Sequence, residues 1–261
     1  MVIQVALKNE ANESASILDA SVLAAHNEYI QRYNPTLRGY LGKYAQSNGA
    51  LTGSSPLMQV HLQDSGLLPG DARPITRREL ETALSRSNDF LRGNYTNFGI
   101  ALVTPGDSYK PNDLPSKVLT EQLKHRGIEL GKGKLVPLTV LSLEENTDSV
   151  YGAVYRLNDK ANKDNILDLR DFKWNYIRNE GMACAGLLWG GLWGAALRGL
   201  GVSSGYGRVA IVSGEATSRK ILDAHLANFR QERDAEIVEI QRNLAELQRQ
   251  DAEREALLRV E

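Results

Sequence analysis

The chain has 261 residues, with 31 Lys and Arg set against 32 Asp and Glu for a formal net charge of −1. That length can bury a substantial core in one large domain, or in one domain with an extension. The charge balance excludes a global electrostatic pull towards nucleic acid or membrane, so any such contact has to be local. Cys184 is the only cysteine, which excludes an intrachain disulfide and a thiolate metal cluster and fits a reducing, cytoplasmic setting.

Taken in order, Val2–Leu7 alternates as a strand does and carries no secretory signal. Ile17, Leu18, Val22, Leu23 and Tyr29 then share one side of a helix running to about Tyr33, ended by Asn34-Pro35. From there to residue 56 the chain is rich in Gly, Ser, Asn and Tyr, which predicts an exposed loop or arm over 34–56. Leu57–Leu62 reads as a strand. Thr76 and Glu79 are spaced as a capping box with Ile75 and Leu80 as its staple, so a helix is predicted from Arg77 to about Leu91. Phe98–Val103 reads as a buried strand, and 115–126 as a helix with Gly127 as its C′ residue. Ile128–Leu143 reads as a hairpin turning at Gly131-Lys132-Gly133-Lys134, and Val150–Leu157 as a further strand.

The most apolar stretch begins at Gly181. Seventeen uncharged residues run to Leu197, and Gly186, Gly190 and Gly194 recur every four, as do Trp189 and Trp193. This spacing predicts a helix with one bare face, because glycine there admits a close neighbouring backbone. A second copy is one such neighbour, which makes the three glycines candidate oligomerisation residues. The run is shorter than the roughly 20 apolar residues that a membrane span needs, so a membrane partner is not expected. A glycine-dense loop follows, then a strand over Arg208–Val212. From Glu215 to Glu261 there is neither Pro nor Gly, and Ile237, Ile240, Leu244 and Leu247 alternate at spacings of three and four. That pattern is a two-heptad seam on a long terminal helix, either a coiled coil or an amphipathic helix lying on its own domain.

His26, His61, His125 and His225 fall in different predicted elements, and no metal, nucleophile or Walker spacing is present, so no catalytic residue, metal or cofactor is assigned. In the loop, Gly201, Gly205 and Gly207 free the backbone to approach a ligand or another chain. Ser203, Ser204 and Arg208 offer phosphate donors, and Tyr206 offers a stacking surface. A tight turn packed on its neighbours needs the same glycines. The pattern G-x-G-x-S-S-G-Y-G-R-V, from Gly199 to Val209, resembles the C-terminal glycine-rich loop of the repeat-associated (RAMP) proteins that form the RNA-binding backbone of CRISPR effector complexes. The resemblance covers about thirty residues. It implies a ferredoxin-like domain, RNA contact through Gly201, Ser203, Ser204, Gly205, Tyr206, Gly207 and Arg208, and further phosphate contacts at Lys132 and Lys134.

The expectation is therefore an α+β domain over 1–213, with a mixed or antiparallel sheet and packed helices, followed by a long helix over 215–261. Its function is that of a non-catalytic subunit of a multi-subunit assembly whose partners are other protein subunits. One form is a cytoplasmic ribonucleoprotein that binds RNA. The other is a homo-oligomeric structural protein, such as a virion component. An enzyme with a diffuse active site is a third class, which a clustered His and acid pocket would reveal.

Overall fold

The computed structural model describes residues 5–6, 13–43, 49–105, 112–178, 180–188, 191–195, 199–201 and 203–214. They form an α+β fold. In chain order its elements are β1 (Val5–Ala6), β2 (Glu13–Ile17), α1 (Leu23–Tyr29), α2 (Pro35–Gly42), α3 (Pro56–Asp64), β3 (Arg73–Pro74), α4 (Arg77–Arg86) and β4 (Thr96–Leu102). There follow α5 (Asp113–His125), β5 (Lys134–Pro137), β6 (Leu141–Glu145), β7 (Ala153–Leu157), β8 (Leu167–Asp168), β9 (Tyr176–Ile177), β10 (Met182–Leu187), β11 (Trp193–Ala195) and β12 (Ala210–Gly214). The strands make a six-stranded sheet ordered β8-β5-β4-β10-β11-β9, a four-stranded sheet ordered β1-β2-β12-β3 and a β6-β7 ribbon. The β9–β11 pairing is parallel, and the other pairings among the described strands are antiparallel.

β4 is the centre of the molecule, and every one of its residues is buried. Ile100 and Leu102 join a core with α3 and α5, while Phe98 and Ala101 join a second core with α4 and β12. Neighbours in a strand normally alternate in direction, yet residues three apart share a side here because the register slips. Ala185 faces Gly99 and Gly186 faces Asn97, which leaves Phe98 as the extra residue of a β-bulge.

Local signals placed two helices well. α4 starts on the Thr76–Glu79 capping box, with Glu79 Oε2 accepting from the Thr76 amide at 2.9 Å. It ends at Arg86, earlier than Leu91, and Phe90 and Leu91 are buried beyond it in turns. α5 occupies 113–125, and Gly127 follows with φ +66°.

Four expectations are corrected. The expected 34–56 loop is only in part exposed among its described residues: 35–42 is α2 and 51–56 are buried, while Pro35, Thr36, Gly39, Gly42, Lys43 and Gly49 are exposed. Asn34 Oδ1 accepts from the Leu37 amide at 2.9 Å, and Leu37, Leu41 and Leu51 are fully buried. Asn34-Pro35 is thus a helix start as well as a stop, with Pro at the first helical position where its missing N–H costs nothing. Residues 57–62 form α3 rather than a strand, capped by Ser55 Oγ accepting from the Met58 amide at 3.1 Å; all of Pro56–Leu62 is buried, so the run shows no amphipathic period. Residues 128–143 do not pair as a hairpin. β5 instead pairs with β4 and β8, and β6 pairs with β7. Finally, the glycine-spaced stretch is not a helix but β10, a turn and β11, with Gly186 opposite Gly194. Four is an even number, so a spacing of four lines residues up on one face of a strand as well as along a helix. The close backbone neighbour is real: a Cβ on Gly186 would lie 2.7 Å from the Thr96 carbonyl oxygen.

The ferredoxin-like arrangement is also not found. β4 and β5, joined through α5, are adjacent and antiparallel, where a split β-α-β unit needs parallel strands with another between them. The terminal helix expected over 215–261 lies outside the described residues.

Folding brings together two histidines that the sequence left apart. His26 and His61 are fully buried, with ring centroids 5.1 Å apart. His26 Nε2 lies 3.1 Å from the Leu41 carbonyl oxygen and His61 Nδ1 lies 3.4 Å from the Tyr33 hydroxyl, while His26 Nδ1 and His61 Nε2 have no partner among the described residues. Burial lowers the pKa of both, pushing His61 to about 3. Each stays neutral in the fold but protonates near pH 6.5 when unfolded, so stability falls as pH drops below about 6.5, by up to about 1.4 kcal/mol per pH unit for each ring. Burial raises Asp64 to about 6, which opposes this below pH 6 through one group against two. Denaturant unfolding at stepped pH is expected to show stability declining from pH 6.5 to 4.5, and His61→Phe to flatten that slope whatever its own stability. An unchanged slope in the variant would contradict the assignment.

Candidate functional site

The glycine loop is stitched between two distant segments. Gly53 N donates to Gly207 O at 3.0 Å, Tyr95 N to Tyr206 O at 3.1 Å and Arg208 N to Tyr95 O at 2.9 Å. Gly207 has to be bare, because a Cβ there would come within 2.7 Å of Ser54 N and 2.8 Å of Gly53 C. Gly201 packs on rings instead, with an added Cβ 2.5 Å from Tyr40 Cδ1 and 3.1 Å from Tyr151 Cε1. Gly205 faces open space.

Of the polar residues, Ser203 is buried and its Oγ accepts from the Ser54 amide at 2.9 Å, whereas Ser204 Oγ is buried with no partner among the described residues. Arg208 Nη1 donates to the carbonyls of Gly205 and Gly207, both at 2.7 Å, and burial lowers its pKa from the usual arginine value. Tyr206 is 60% exposed.

Lys132 and Lys134 do not join this surface. Lys134 pairs with Leu102 at the far end of β4 from Tyr95, roughly 20 Å away at about 3.3 Å per residue. Its Nζ is also 2.6 Å from Asp168 Oδ1, while Lys132 is exposed. The basic surface expected from Lys132, Lys134 and Arg208 is therefore not assembled. Of the oligomerisation candidates, Gly186 and Gly194 face each other across the β10–β11 hairpin; Gly190, Ile237, Ile240, Leu244 and Leu247 lie outside the described residues.

A second site comes from residues that the sequence did not connect. The bulge turns Phe98 towards α4, where it stacks on Trp174 at 6.3 Å and meets Trp193 edge-on at 5.8 Å. Into this cluster α4 inserts Arg77, only 4% exposed, with its guanidinium carbon 4.5 Å from the centroid of Phe172, 4.2 Å from Trp174 and 4.6 Å from Trp193. Arg77 Nε donates to Glu81 at 2.9 Å and Nη2 to the Lys173 carbonyl at 2.7 Å, but Nη1 has no acceptor among the described residues. Burial lowers the Arg77 pKa and Glu81 opposes the shift. Two cavities flank the guanidinium: an open groove of about 840 Å³ and an inner pocket of about 200 Å³, with Arg77, Arg78 and Phe172 lining both. No sequence signal links positions 77, 98, 174 and 193. Trp193 in particular was expected on a helix in line with Trp189.

β9 stands at one end of the six-stranded sheet, and there Tyr176 is 46% and Ile177 44% exposed. Leu192, 37% exposed, stands next to it in the β10–β11 turn. Among the described residues no group of three or more His, Cys, Asp or Glu could hold a metal ion, and no helix is long and apolar enough to cross a membrane. Comparison with protein-family models, with curated proteins and with solved structures found no match.

The two kinds of glycine in the loop can be told apart by substitution. Gly207→Ala forces the Gly53–Ser54 backbone to move and is expected to cost about 1–3 kcal/mol, the range for overpacking. Gly205→Ala should stay within about 0.5 kcal/mol of the parent. Urea unfolding of the two variants measures both, and equal losses would show that the close approach does not hold in solution.

Proposed function

We propose that this protein is a non-catalytic assembly subunit that joins copies of itself through the β9 edge and the tip of the β10–β11 hairpin. The observation that carries the reading is the apolar edge: Tyr176 and Ile177 stand exposed on the outermost strand of the main sheet, beside Leu192. An edge strand presents backbone donors and acceptors that another strand can pair with, and sheets that stay monomeric tend to place charge or proline there. The heptad positions Ile237, Ile240, Leu244 and Leu247 supply a second means of self-association if the terminal segment forms the long helix its pattern predicts. A cytoplasmic complex or a virion would both use such a subunit.

A second reading keeps RNA as a partner, in the manner of a CRISPR-type backbone protein. It is favoured by Tyr206, which a pinned loop holds out to solvent beside Arg208. A base could stack on that ring. The engagement of Arg208 with its own loop and of Lys134 with Asp168 places this reading second.

Light scattering coupled to size-exclusion chromatography, with absorbance at two ultraviolet wavelengths, separates the two. The expected result is an oligomer with protein-like absorbance that nuclease and high salt leave intact and that Ile177→Lys reduces to a smaller species. A particle that carries nucleic acid and shrinks after nuclease would favour the RNA reading. A monomer at tens of micromolar, the upper range of weak protein association, would overturn the self-association proposal.

A further inference from the structure

The two cavities beside Arg77 share a wall of Arg77, Arg78 and Phe172, and together they make a cleft of two lobes, the outer one charged and the inner one largely apolar. Three cations, Arg77, Arg78 and Lys173, face two carboxylates, Glu81 and Asp171, in the outer groove. The Arg77–Glu81 pair at 2.9 Å is neutral as a whole, which leaves Arg78 and Lys173 against Asp171 and an excess of one positive charge at the mouth. The inner pocket has a floor of Phe98, Leu135, Pro137, Leu167 and Phe172, with Thr139, Asn165 and the Asp164 carboxylate at its edge, so a ring fits there better than an anionic group does. At about 200 Å³ it is larger than the apolar cavity of about 150 Å³ that takes up benzene. Most ligand pockets have this composition, an apolar lining with a few polar groups that fix orientation.

Arg77 is the link between the lobes. Leaving a buried N–H unpaired is costly, and among the described residues Nη1 is the one guanidinium nitrogen of Arg77 without an acceptor. The aromatic faces around it offset part of that cost as weak acceptors, but a ligand oxygen would satisfy it fully. The half-buried Phe172 ring lines both lobes and lies against the guanidinium, its centroid 4.5 Å from the Arg77 guanidinium carbon.

We propose that this cleft binds a small oxyanion attached to a planar ring. The oxyanion sits between Arg78, Lys173 and Nη1 of Arg77, and the ring occupies the inner pocket against Phe172. The inference is independent of self-association at β9. Carboxylates and phosphates share the required chemistry, and the probes below distinguish them.

Intrinsic tryptophan fluorescence is the direct readout, because Trp174 and Trp193 line the groove. The full-length protein is titrated with phenyl phosphate and benzoate, and in parallel with inorganic phosphate and acetate. The expected result is a saturable change with at least one ring-bearing anion, at a concentration roughly tenfold or more below that of its ring-free counterpart, which is the gain expected from burying one ring. The tighter of phenyl phosphate and benzoate identifies the oxyanion. Arg78 and Lys173 are exposed, so Arg78→Gln and Lys173→Gln should keep the melting temperature of the parent while weakening the ring-bearing probe several-fold. The proposal is overturned if no probe gives a saturable change, if the ring-free anion binds as tightly as its ring-bearing counterpart, or if the double variant binds as well as the parent.

Discussion

Ser54 is the point on which the arrangement of the molecule depends. It is fully buried, and its polar groups tie three segments together: its amide donates to Ser203 Oγ, its Oγ accepts from the Asn97 amide and from Gln59 Nε2, and its carbonyl accepts from Asn97 Nδ2. The glycine loop, the start of α3 and the central strand are thereby fixed to one residue. Each bond adds a net of only about 0.5–1.5 kcal/mol, but breaking one strands a buried partner at about 1–3 kcal/mol. The set therefore specifies geometry more than it adds stability. Gln59 Nε2, donating also to Asn97 O at 2.8 Å, holds the backbone on the near side of the bulge.

That bulge has a structural consequence on the other face of β4. Had β4 kept strict alternation, Phe98 would have shared a face with Ile100 and Leu102 in the first core. The extra residue sends it to the second, where Trp174 and Trp193 enclose Arg77. Cation–π contact is worth about 0.5–2 kcal/mol with each good ring, and Arg77 also hydrogen-bonds the 172–174 segment through the Lys173 carbonyl. α4, β11 and the segment before β9 are held together at one guanidinium, and the cleft is the space that these bulky, imperfectly nesting groups leave around it.

What was legible in the sequence was local. The capping box at Thr76, the C′ glycine at Gly127 and the apolar runs of β4 and β7 each carry their instruction within a few residues, and each boundary is read to within about three positions except the end of α4, which comes about five residues early. Where an apolar run is buried on all sides, as in α3, period disappears and helix and strand look alike. The glycine-spaced stretch failed for a different reason. A backbone does come close at Gly186, where β4 is the neighbour, but at Gly194 the close group is the Leu188 side chain, and a spacing of four does not say whether the bare face belongs to a helix or a strand. The Ser54 network, the histidine pair and the Arg77 cleft depend on residues brought together over about 20 to 150 positions, and no local pattern encodes such meetings.

The glycine loop shows how the same composition serves two ends. An anion-binding nest needs successive amides turned towards one empty point, whereas here Gly207 N closes on Ser204 O at 2.9 Å and Tyr95 N takes up the Tyr206 carbonyl. Gly207 is bare so that Gly53 and Ser54 can pass, and Gly201 so that Tyr40 and Tyr151 can close over it. Those glycines are accounted for by packing within the chain. A nucleic acid meeting this loop would have to use what packing leaves outside, which is the Tyr206 ring and the outer N–H groups of Arg208. Such a contact is made by stacking with one charge, so its affinity would depend only weakly on salt, unlike a surface that neutralises a run of phosphates. An RNA-coating role through this loop alone would therefore need many copies side by side, which returns the question of function to how the subunits associate.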